Sequence, residues 1–538
     1  MITVAQAMVK CLEEEKITTV FGYPGAAICP FYDALSKSQI RHILVRQEQN
    51  AGHAASGYAR ITGKPAVCIA TSGPGALNLI TAIATAYMDS IPMVIITGQV
   101  SRELLGRDVF QEADITGAVE PFIKYSYIVK DATQIARIVK ESFYLAGTGR
   151  PGPVLIDVPM DVQTEKISFS YPETVHLRSY KPTVNGHPGQ IKRAMTALKN
   201  AKRPLILAGG GVFGAKATAE LYEFSKACNI PIVSTMMGIS AVPSNHPLYF
   251  GMLGMHGVKA ANVAVRQADV LLLAGARAGD RAVKSPKSVS DDKKIIHIDI
   301  DPAEIGKNLD THIPIVGDLK NILADMIAKA VPIHCEEWIT SLQEIQQKHS
   351  SRIQCDTNYV NPKLLLHQLF EKAPDNTVVV ADVGQNQIWT ANQFSVPNGR
   401  FLTSGGMGTM GYSIPAAVGA KLAAPDHTVI SVCGDGSFQM QMMELGTIQQ
   451  NQIPLKMIVM TNHYLGMVRE LQQKNYAGNE MAVDLTGSPN ITQLARSYGI
   501  QANCIHSIEQ AEQILDEFLH SDKPYLLECM VNPSESTL

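Results

Sequence analysis

The stretch Val429-Ile-Ser-Val-Cys-Gly-Asp-Gly-Ser437 decides the fold, because an apolar run rich in β-branched residues passes directly into a glycine-rich loop. Such a run is typical of a strand buried in a parallel sheet, and the loop that follows it lies at the carboxyl end of that strand. A second apolar run, residues 455–460, ends at Thr461 and Asn462. Asp435 and Asn462 are separated by about the length of one strand–helix–strand unit, so we expect them at the ends of neighbouring strands.

Asp435 and Asn462 have the ligand chemistry of a magnesium site. A carboxylate, an amide oxygen and a backbone carbonyl, that of Tyr464, are hard oxygen ligands suited to octahedral Mg²⁺, which keeps positions open for phosphate oxygens and water. The glycines beside Asp435 let backbone N–H groups and the next helix N-terminus approach a diphosphate. The alternative is that the loop is a tight turn and that Asn462 caps a strand. The spacing and the flanking strands favour the metal and diphosphate site.

The same pattern repeats along the whole chain. Apolar runs alternate with segments of helical period, as in residues 66–71, 76–89 and 92–98, which predicts βαβ units and parallel sheets. Two polar stretches, at about 163–188 and 334–361, interrupt the alternation and are interpreted as linkers. We therefore predict an α/β protein of three doubly wound parallel-sheet domains, at residues 1–165, 188–335 and 360–538.

Length and composition exclude several classes of protein. With 538 residues, the chain is long enough for three or four domains of about 150 residues. The net charge of −3, without a basic stripe, argues against nucleic acid. The short apolar runs argue against a membrane span, and the charged residues of the first segment argue against an export signal. The nine cysteines are scattered and form no CxxC pair, which favours a reducing cytoplasm. We expect small-molecule ligands.

A second stretch, Arg46-Gln-Glu-Gln-Asn-Ala-Gly-His53, carries another candidate. Glu48 follows an apolar run and opens a helix rich in alanine and glycine. Taken alone, a glutamate at such a junction is usually a surface carboxylate in the first helical turn. His53 is interpreted as a packed helical histidine.

These motifs together resemble the thiamine-diphosphate enzymes, and Glu48 falls where that family keeps the glutamate that activates the cofactor. Other segments resemble the large catalytic subunit of acetohydroxyacid (acetolactate) synthase, over nearly the whole chain and all three domains. They include Phe21-Gly-Tyr-Pro-Gly25, Asp108-Val-Phe-Gln-Glu112, Gly251-Met-Leu-Gly-Met-His-Gly257, His297-Ile-Asp-Ile-Asp-Pro302 and Tyr464-Leu-Gly-Met-Val468.

The resemblance implies a role for each matching residue. Glu48 would bind the aminopyrimidine of thiamine diphosphate and make it the internal base. Met410 would hold the cofactor bent with Met467 packed nearby, although methionine is otherwise ordinary core filling. The family commonly has histidine where this chain has Asn386. The implied thiamine diphosphate contacts are Gly73, Asn78, Gln385, Asn386, Gly408, Met410, Gly434, Asp435, Gly436, Ser437 and Met467.

On the substrate side, the resemblance implies four further residues, Gly25, Phe110, Gln111 and Lys124. Gln111 would reach the reacting centre, and Phe110 and Lys124 would line the entry channel. The implied reaction decarboxylates pyruvate on the cofactor and transfers the two-carbon fragment to pyruvate or 2-ketobutyrate, in branched-chain amino-acid biosynthesis. Leu471 stands where many members carry a tryptophan that favours 2-ketobutyrate, so we expect a weaker preference here.

For the middle domain, the resemblance implies an FAD that performs no redox step. Two segments match GxGxxG, residues 209–214 and 406–411, which shows how unspecific that pattern is. Ala278-Gly-Asp-Arg-Ala282 departs from the Phe-Asp-Asp-Arg-Val that is usual in the family. The implied FAD contacts are Gly209, Gly210, Gly211, Thr235, His256, Gly275, Arg277, Asp299 and Asp318.

The resemblance also implies an assembly. In the family the glutamate and the metal loop come from different subunits, so we expect a homodimer or homotetramer with active sites between subunits, with a separate regulatory subunit as a further partner. Two alternatives stay open. One is a flavin-linked pyruvate oxidase or a simple 2-keto-acid decarboxylase on the same scaffold. The other is a non-catalytic nucleotide-sensing subunit built on the two GxGxxG segments.

Overall fold

The structure is a computed structural model that describes residues 1–283, 289, 292–348 and 358–537. Its strands are β1 (Ile2–Thr3), β2 (Thr19–Gly22), β3 (Arg41–Leu44), β4 (Ala66–Ala70), β5 (Met93–Gln99), β6 (Tyr125–Ile128), β7 (Pro153–Pro159), β8 (Lys166–Ile167), β9 (Pro204–Ala208), β10 (Ile232–Ser234), β11 (Tyr249–Met252), β12 (Val270–Ala274), β13 (Lys294–Asp299), β14 (Ile313–Val316), β15 (Val378–Ala381), β16 (Arg400–Thr403), β17 (Val429–Gly434), β18 (Lys456–Thr461), β19 (Gln501–Ile505) and β20 (Tyr525–Met530).

Helices connect these strands along the chain. The α-helices are Val4–Glu14, Cys29–Leu35, Glu48–Thr62, Pro74–Asn78, Ile80–Met88, Ile115–Val119, Ile135–Gly147, Met160–Thr164, Pro188–Lys199, Gly211–Gly214, Thr218–Cys228, Lys259–Gln267, Leu319–Ile327, Glu336–Lys348, Pro362–Lys372, Gln385–Gln393, Ser413–Ala423, Asp435–Gln441, Leu445–Gln450, Gly466–Asn475, Ile491–Ser497 and Ile508–His520. Within the described ranges, no helix is both long and apolar enough to cross a membrane.

Three six-stranded sheets form the body of the described part of the chain. Their strand orders are β3-β2-β4-β5-β7-β6, β11-β10-β9-β12-β13-β14 and β16-β15-β17-β18-β20-β19, and the pairings in each are parallel. The order reverses beside β2, β9 and β15, so each sheet has a topological switch point, where open α/β sheets bind ligands. The predicted α/β class with three doubly wound sheets is confirmed.

The two predicted linkers differ in structure. In the first, predicted at about 163–188, residues 168–187 contain neither helix nor strand, but the end of the helix Met160–Thr164 and strand β8 lie within its beginning. The second prediction is wrong for Glu336–Lys348, which forms a helix whose Trp338 and Leu342 are buried in the central core. The indole N–H of Trp338 donates to the carbonyl of Pro204 at 3.2 Å. The narrow apolar stripe of this helix is masked in the sequence by its charged and glutamine-rich outer face. Residues 349–357 of that linker lie outside the described residues, and the exact domain boundaries stay a prediction.

The first and third domains touch through two helices, Glu48–Thr62 and Ser413–Ala423. A β-carbon added to Gly57 would lie 1.9 Å from the carbonyl oxygen of Ala416, and one added to Gly419 would lie 1.8 Å from that of Ala54. The two backbones are therefore in direct contact, which only glycine allows at these positions. This packing fixes the start of the helix that carries Glu48 relative to the third domain.

Candidate active site

Asp435 and Asn462 lie where the sequence predicts them, at the carboxyl ends of the paired strands β17 and β18. Asp435 is buried, and its two oxygens accept the backbone N–H groups of His463 at 2.8 Å and Gly436 at 3.0 Å. Burial raises the pKa of Asp435 to about 6, although these N–H groups act in the opposite direction. A buried carboxylate that burial destabilises as an anion is a good ligand for a cation.

The donor set around Asp435 fits Mg²⁺ with a phosphate ligand. The amide oxygen of Asn462 and the backbone of Tyr464 lie on the same loop, and the N–H of Tyr464 donates to that amide oxygen at 3.0 Å. The described ranges contain no group of three or more His, Cys, Asp or Glu arranged to hold a metal. One carboxylate with neutral oxygens leaves room for phosphate oxygens and water, which Mg²⁺ keeps when it binds a substrate or cofactor phosphate.

Gln385 and Asn386 begin the helix Gln385–Gln393 beside this loop. Gly384 precedes the helix, makes no side-chain cap and has a φ of 138°, so the first N–H groups of the helix are uncapped by a side chain. The amide N–H of Asn386 donates to the carbonyl of Asp382 at 2.8 Å, and its amide oxygen would lie 3.4 Å from a β-carbon added to Gly434. An uncapped helix N-terminus next to a glycine loop suits a diphosphate.

Met410 and Ser437 complete the third-domain side of the site. The methyl carbon of Met410 would lie 3.6 Å from a β-carbon added to Gly436, so the two loops are adjacent. The hydroxyl of Ser437 donates to the carbonyl of Val383 at 3.3 Å. Gly408 lies on the Met410 loop with a φ of 62°, and an added β-carbon there would meet nothing within 4 Å. Met467 is half-buried in the neighbouring helix Gly466–Asn475.

Asp382 is a residue of this region that the sequence reasoning missed. Its buried carboxylate accepts the backbone N–H groups of Gly411 at 2.9 Å and Ser413 at 2.7 Å. It thereby fixes the end of the Met410 loop. The sequence does hold one signal for Asp382: it directly follows the apolar strand β15, as Asp435 directly follows β17.

Glu48 is the first residue of its helix and is half-buried at the carboxyl edge of the first sheet. Its Oε2 accepts the amide N–H of Asn78 at 2.9 Å. Its Oε1 would lie only 3.3 Å from a β-carbon added to Gly75, so a side chain there would cover it. Asn78 thus orients the carboxyl group, and the missing side chain at position 75 leaves the other oxygen accessible.

Gly25, Gly73 and Gln111 are brought to the same edge. A β-carbon on Gly25 would lie 2.5 Å from the methyl carbon of Thr71, which also packs on Gly75. A β-carbon on Gly73 would lie 2.8 Å from the carbonyl oxygen of Gln111. The structure therefore brings three further loops, those of Gly25, Gly73 and Gln111, to the edge that carries Glu48.

Of the other two substrate-side residues, Phe110 is next to Gln111, whereas Lys124 lies apart from this group. Phe110 is 86% exposed on the loop of Gln111. Lys124 precedes β6, at the amino edge of the parallel sheet, and its ammonium donates to the carbonyls of Thr148 at 2.6 Å and Arg150 at 2.8 Å. Burial lowers the pKa of Lys124 to about 8. In one chain, Lys124 caps carbonyls after the helix Ile135–Gly147 and does not join the other substrate-side residues.

The predicted FAD contacts all lie at the carboxyl edge of the central sheet. Packing explains why positions 209 and 211 are glycine. β-carbons there would lie 2.2 Å and 2.7 Å from atoms of Gly275 on the adjacent loop. Asp318 caps the helix Leu319–Ile327 by accepting two backbone N–H groups. The other predicted contacts follow neighbouring strands of this sheet: Gly210 after β9, Thr235 after β10, His256 after β11, Arg277 after β12 and Asp299 at the end of β13.

An isoalloxazine or nucleotide group would meet unsatisfied polar atoms at this edge. Among the described residues, Nδ1 of His256 and the amide oxygen of Asn392 are buried without a hydrogen-bond partner. The amide N–H of Asn392 donates to the carbonyl of His256 at 2.9 Å, so the two residues are adjacent. Buried polar atoms of this kind normally find a partner, and a bound ligand is one way to supply it.

The chain matches three descriptions of thiamine pyrophosphate enzymes, thiamine pyrophosphate being another name for thiamine diphosphate. The N-terminal TPP binding domain matches residues 2–118, the central domain matches residues 191–326, and the C-terminal TPP binding domain matches residues 382–529. Together with three parallel sheets and the Asp435 loop, these matches define a thiamine-pyrophosphate-dependent enzyme.

Curated relatives narrow this class. The probable acetolactate synthase large subunit of Methanococcus aeolicus is 44% identical over 99% of this chain and 92% of its own length. The acetolactate synthase isozyme 2 large subunit of Escherichia coli (strain K12) is 42% identical over 99% of this chain and 96% of its own length. The chain belongs to the acetolactate synthase large-subunit family. The predicted family and enzyme class are confirmed, and the oxidase, decarboxylase and nucleotide-sensing alternatives find no support in these relatives.

Proposed function

We propose that this chain, as an acetolactate synthase, combines two 2-keto acids with loss of CO₂ and supplies branched-chain amino-acid biosynthesis. Pyruvate is the donor, and pyruvate or 2-ketobutyrate is the acceptor. The observation that carries the proposal is the pair of polar clusters at two sheet edges, one around Glu48 and one around Asp435. When bound, thiamine diphosphate supplies the electron sink that decarboxylation of pyruvate needs.

Glu48 is the proposed proton-holding group. Asn78 donates to its Oε2, which leaves Oε1 free to share a proton with the aminopyrimidine ring. The open position above Gly75 gives that oxygen access. Gly25 and Gly73 keep the edge free of side chains, and the amide of Gln111 is the proposed contact to the reacting keto acid. Phe110 and Lys124 remain proposals for the entry channel. The exposure of Phe110 beside Gln111 supports its role, whereas the contacts of Lys124 with the carbonyls of Thr148 and Arg150 give its role no support within one chain.

The third domain is proposed to hold magnesium and the diphosphate. Asp435, the amide oxygen of Asn462 and the carbonyl of Tyr464 would be the protein ligands of Mg²⁺. The diphosphate would lie against Gly434, Gly436 and Ser437 and the N-terminus that Gln385 and Asn386 begin. Met410 and Met467 would pack against the apolar part of the cofactor, with Gly408 giving the loop its turn. The chemistry of these oxygen donors and the burial of Asp435 support this assignment.

The middle domain is proposed to bind FAD without a redox step. Its support is the row of loops at the carboxyl edge of the central sheet and the two unpartnered buried atoms of His256 and Asn392. FAD would then stabilise the domain, since a ligand that binds the folded state shifts unfolding to higher temperature.

The proposed assembly is a homodimer or homotetramer with a separate regulatory subunit. Residues on either side of Glu48 contact the third domain of the same chain, where the N–H of Arg46 and the amide of Asn50 both donate to Glu444 at 2.7 Å. Each of the two domains carries exposed apolar side chains, among them Phe110 on the Gln111 loop of the first domain and Met481, which is 77% exposed, in the third. These side chains would be covered if Glu48 of one subunit faces the Asp435 loop of another. The name large subunit, carried by the relatives, supports a smaller partner. We place the enzyme in the cytoplasm, in keeping with the free cysteines of the described ranges.

The reaction is tested with purified protein, pyruvate, Mg²⁺ and thiamine diphosphate. We expect CO₂ release and acetolactate, which is measured as acetoin after acid treatment. Absence of both products would refute the proposal, and oxygen consumption or free acetaldehyde as the main product would favour an oxidase or a decarboxylase. Repeating the assay with competing pyruvate and 2-ketobutyrate, with and without FAD, measures the acceptor preference and the need for the flavin.

A further inference from the structure

A chain of hydrogen bonds leads from the proposed metal loop to a carboxylate that the reaction does not use. The amide N–H of Asn462 donates to Oε1 of Gln385 at 3.2 Å. The amide N–H of Gln385 donates to Oε2 of Glu470 at 3.2 Å and to the carbonyl of Glu535 at 3.0 Å. Asn462 and Gln385 are both buried, and the side chain of Glu470 is 14% exposed.

The direction of this chain follows from the chemistry of its ends. An ionised carboxylate and a backbone carbonyl only accept hydrogen bonds, so Gln385 must turn its NH₂ group towards Glu470 and Glu535. Its oxygen then faces Asn462, which must turn its own NH₂ group to that oxygen. The amide oxygen of Asn462 is left on the other side of the amide group, where it accepts the backbone N–H of Tyr464 at 3.0 Å. The neighbouring backbone N–H on this loop, that of His463, donates to Asp435 at 2.8 Å.

Glu470 is itself held in place by the segment that follows β20. The hydroxyl of Thr537 donates to both of its oxygens, at 3.1 and 3.0 Å, and the hydroxyl of Ser536 donates at 3.1 Å. Burial alone would raise the pKa of Glu470, but the hydrogen bonds from Gln385, Thr537 and Ser536 outweigh it and keep that pKa below its usual range. The carboxylate is therefore ionised and only accepts hydrogen bonds at neutral pH. Lys474 contacts the same carboxylate at 3.3 Å from an exposed position.

We infer that Glu470 is a positioning residue for magnesium, which acts through Gln385 to present the amide oxygen of Asn462 to the cation. This inference rests on the proposed metal site. Partners that orient a metal ligand are worth about 10- to 100-fold in metal affinity when they are removed. Glu470 was beyond sequence reasoning, because it lies 85 positions from Gln385 and has no motif of its own.

The test is a titration of the holoprotein with Mn²⁺ at saturating thiamine diphosphate, in which free Mn²⁺ is counted by electron paramagnetic resonance. We expect Glu470→Ala to weaken Mn²⁺ binding by about tenfold or more. Glu470→Gln should lose less, because its amide oxygen still accepts from Gln385. Lys474→Ala is the matched control and should bind Mn²⁺ as the wild type does. It removes the ammonium group that contacts the Glu470 carboxylate and leaves the hydrogen bonds of Gln385 and Asn462 in place.

Two further variants make each outcome decisive. Asp435→Ala should abolish saturable binding; if it binds Mn²⁺ normally, the proposed metal site is wrong, whatever Glu470 does. Thr537→Val keeps Glu470 but removes its hydroxyl partner, so it should weaken Mn²⁺ binding by a smaller factor, about two- to fivefold. This variant and Glu470→Gln decide the question if circular dichroism shows that Glu470→Ala does not fold. Normal Mn²⁺ binding by folded Glu470→Ala beside a defective Asp435→Ala, or equal losses in Glu470→Ala and Lys474→Ala, would overturn the inference.

Discussion

Replacing Gly57 by alanine tests the contact between the first and third domains. Gly57 lies inside the helix Glu48–Thr62, where alanine in place of glycine normally stabilises a helix by about 1 kcal/mol. Here the added carbon would lie 1.9 Å from the carbonyl oxygen of Ala416 and 2.6 Å from its carbonyl carbon. Since non-bonded atoms settle at about 3.5 Å, the two helices must move apart by roughly 1.5 Å. The structure therefore predicts a change opposite in sign to helix propensity.

The size of the effect follows from what the separation breaks. Overfilling a packed interior costs about 1–3 kcal/mol. The buried hydrogen bond between the hydroxyls of Ser56 and Tyr412, at 3.0 Å, would also lengthen beyond useful distance. Leaving such buried groups unpaired costs about 1–3 kcal/mol. We expect a net destabilisation of about 3 kcal/mol after the gain in propensity is included.

Thermal unfolding measures this difference directly. The midpoint of Gly57→Ala should fall by roughly 5 °C or more. All variants are heated at one scan rate, because unfolding of a multidomain protein is commonly irreversible. Gly487→Ala is the control, since its added carbon would meet nothing within 4 Å. A midpoint of Gly57→Ala at or above that of the wild type, or an equal fall in the control, would refute the packing argument.

Three further predictions concern the site and the core. Glu48→Gln should lower acetolactate formation by about 10²- to 10⁴-fold while thiamine diphosphate still quenches the protein fluorescence, and near-normal turnover would contradict its role. Burial raises the pKa of Asp157 to about 7, with the hydrogen bonds from Thr97 and Gln99 opposing it. An aspartate in the unfolded chain has a pKa of about 3.9. The stabilisation that comes from protonated Asp157 in the folded protein is therefore fully present below about pH 3.9 and is lost as the pH rises through about 7. The thermal unfolding midpoint of the wild type should therefore fall relative to that of Asp157→Asn between pH 4 and 8. Midpoints that change in parallel with pH in the two proteins would contradict the raised pKa of Asp157. Leu471, half exposed beside Glu470, should when replaced by tryptophan raise the share of the 2-ketobutyrate product, and an unchanged product ratio would exclude a part in acceptor choice.

Much of the fold is local in origin and was therefore readable from the sequence. Each parallel strand is a short apolar run because it is buried on both faces. Glycines in the sequence indicate the loops after β4, β15 and β17. The pairing of β17 with β18, which places Asp435 near Asn462, followed from one strand–helix–strand length. The helix Glu336–Lys348 was missed because its buried face is only a narrow stripe, which composition hides.

The sequence by itself determined the three parallel sheets, the sheet edges at which the candidate residues lie and the family, because strand burial, loop glycines and motif spacing are properties of neighbouring residues. Only the tertiary structure decided that Lys124 binds carbonyls at the opposite edge of its sheet and that Glu470 reaches Gln385. It alone also revealed that Gly57 and Ala416 touch. These are directional hydrogen bonds and van der Waals contacts between residues far apart in the chain. They depend on how whole domains pack, and no local periodicity encodes that packing.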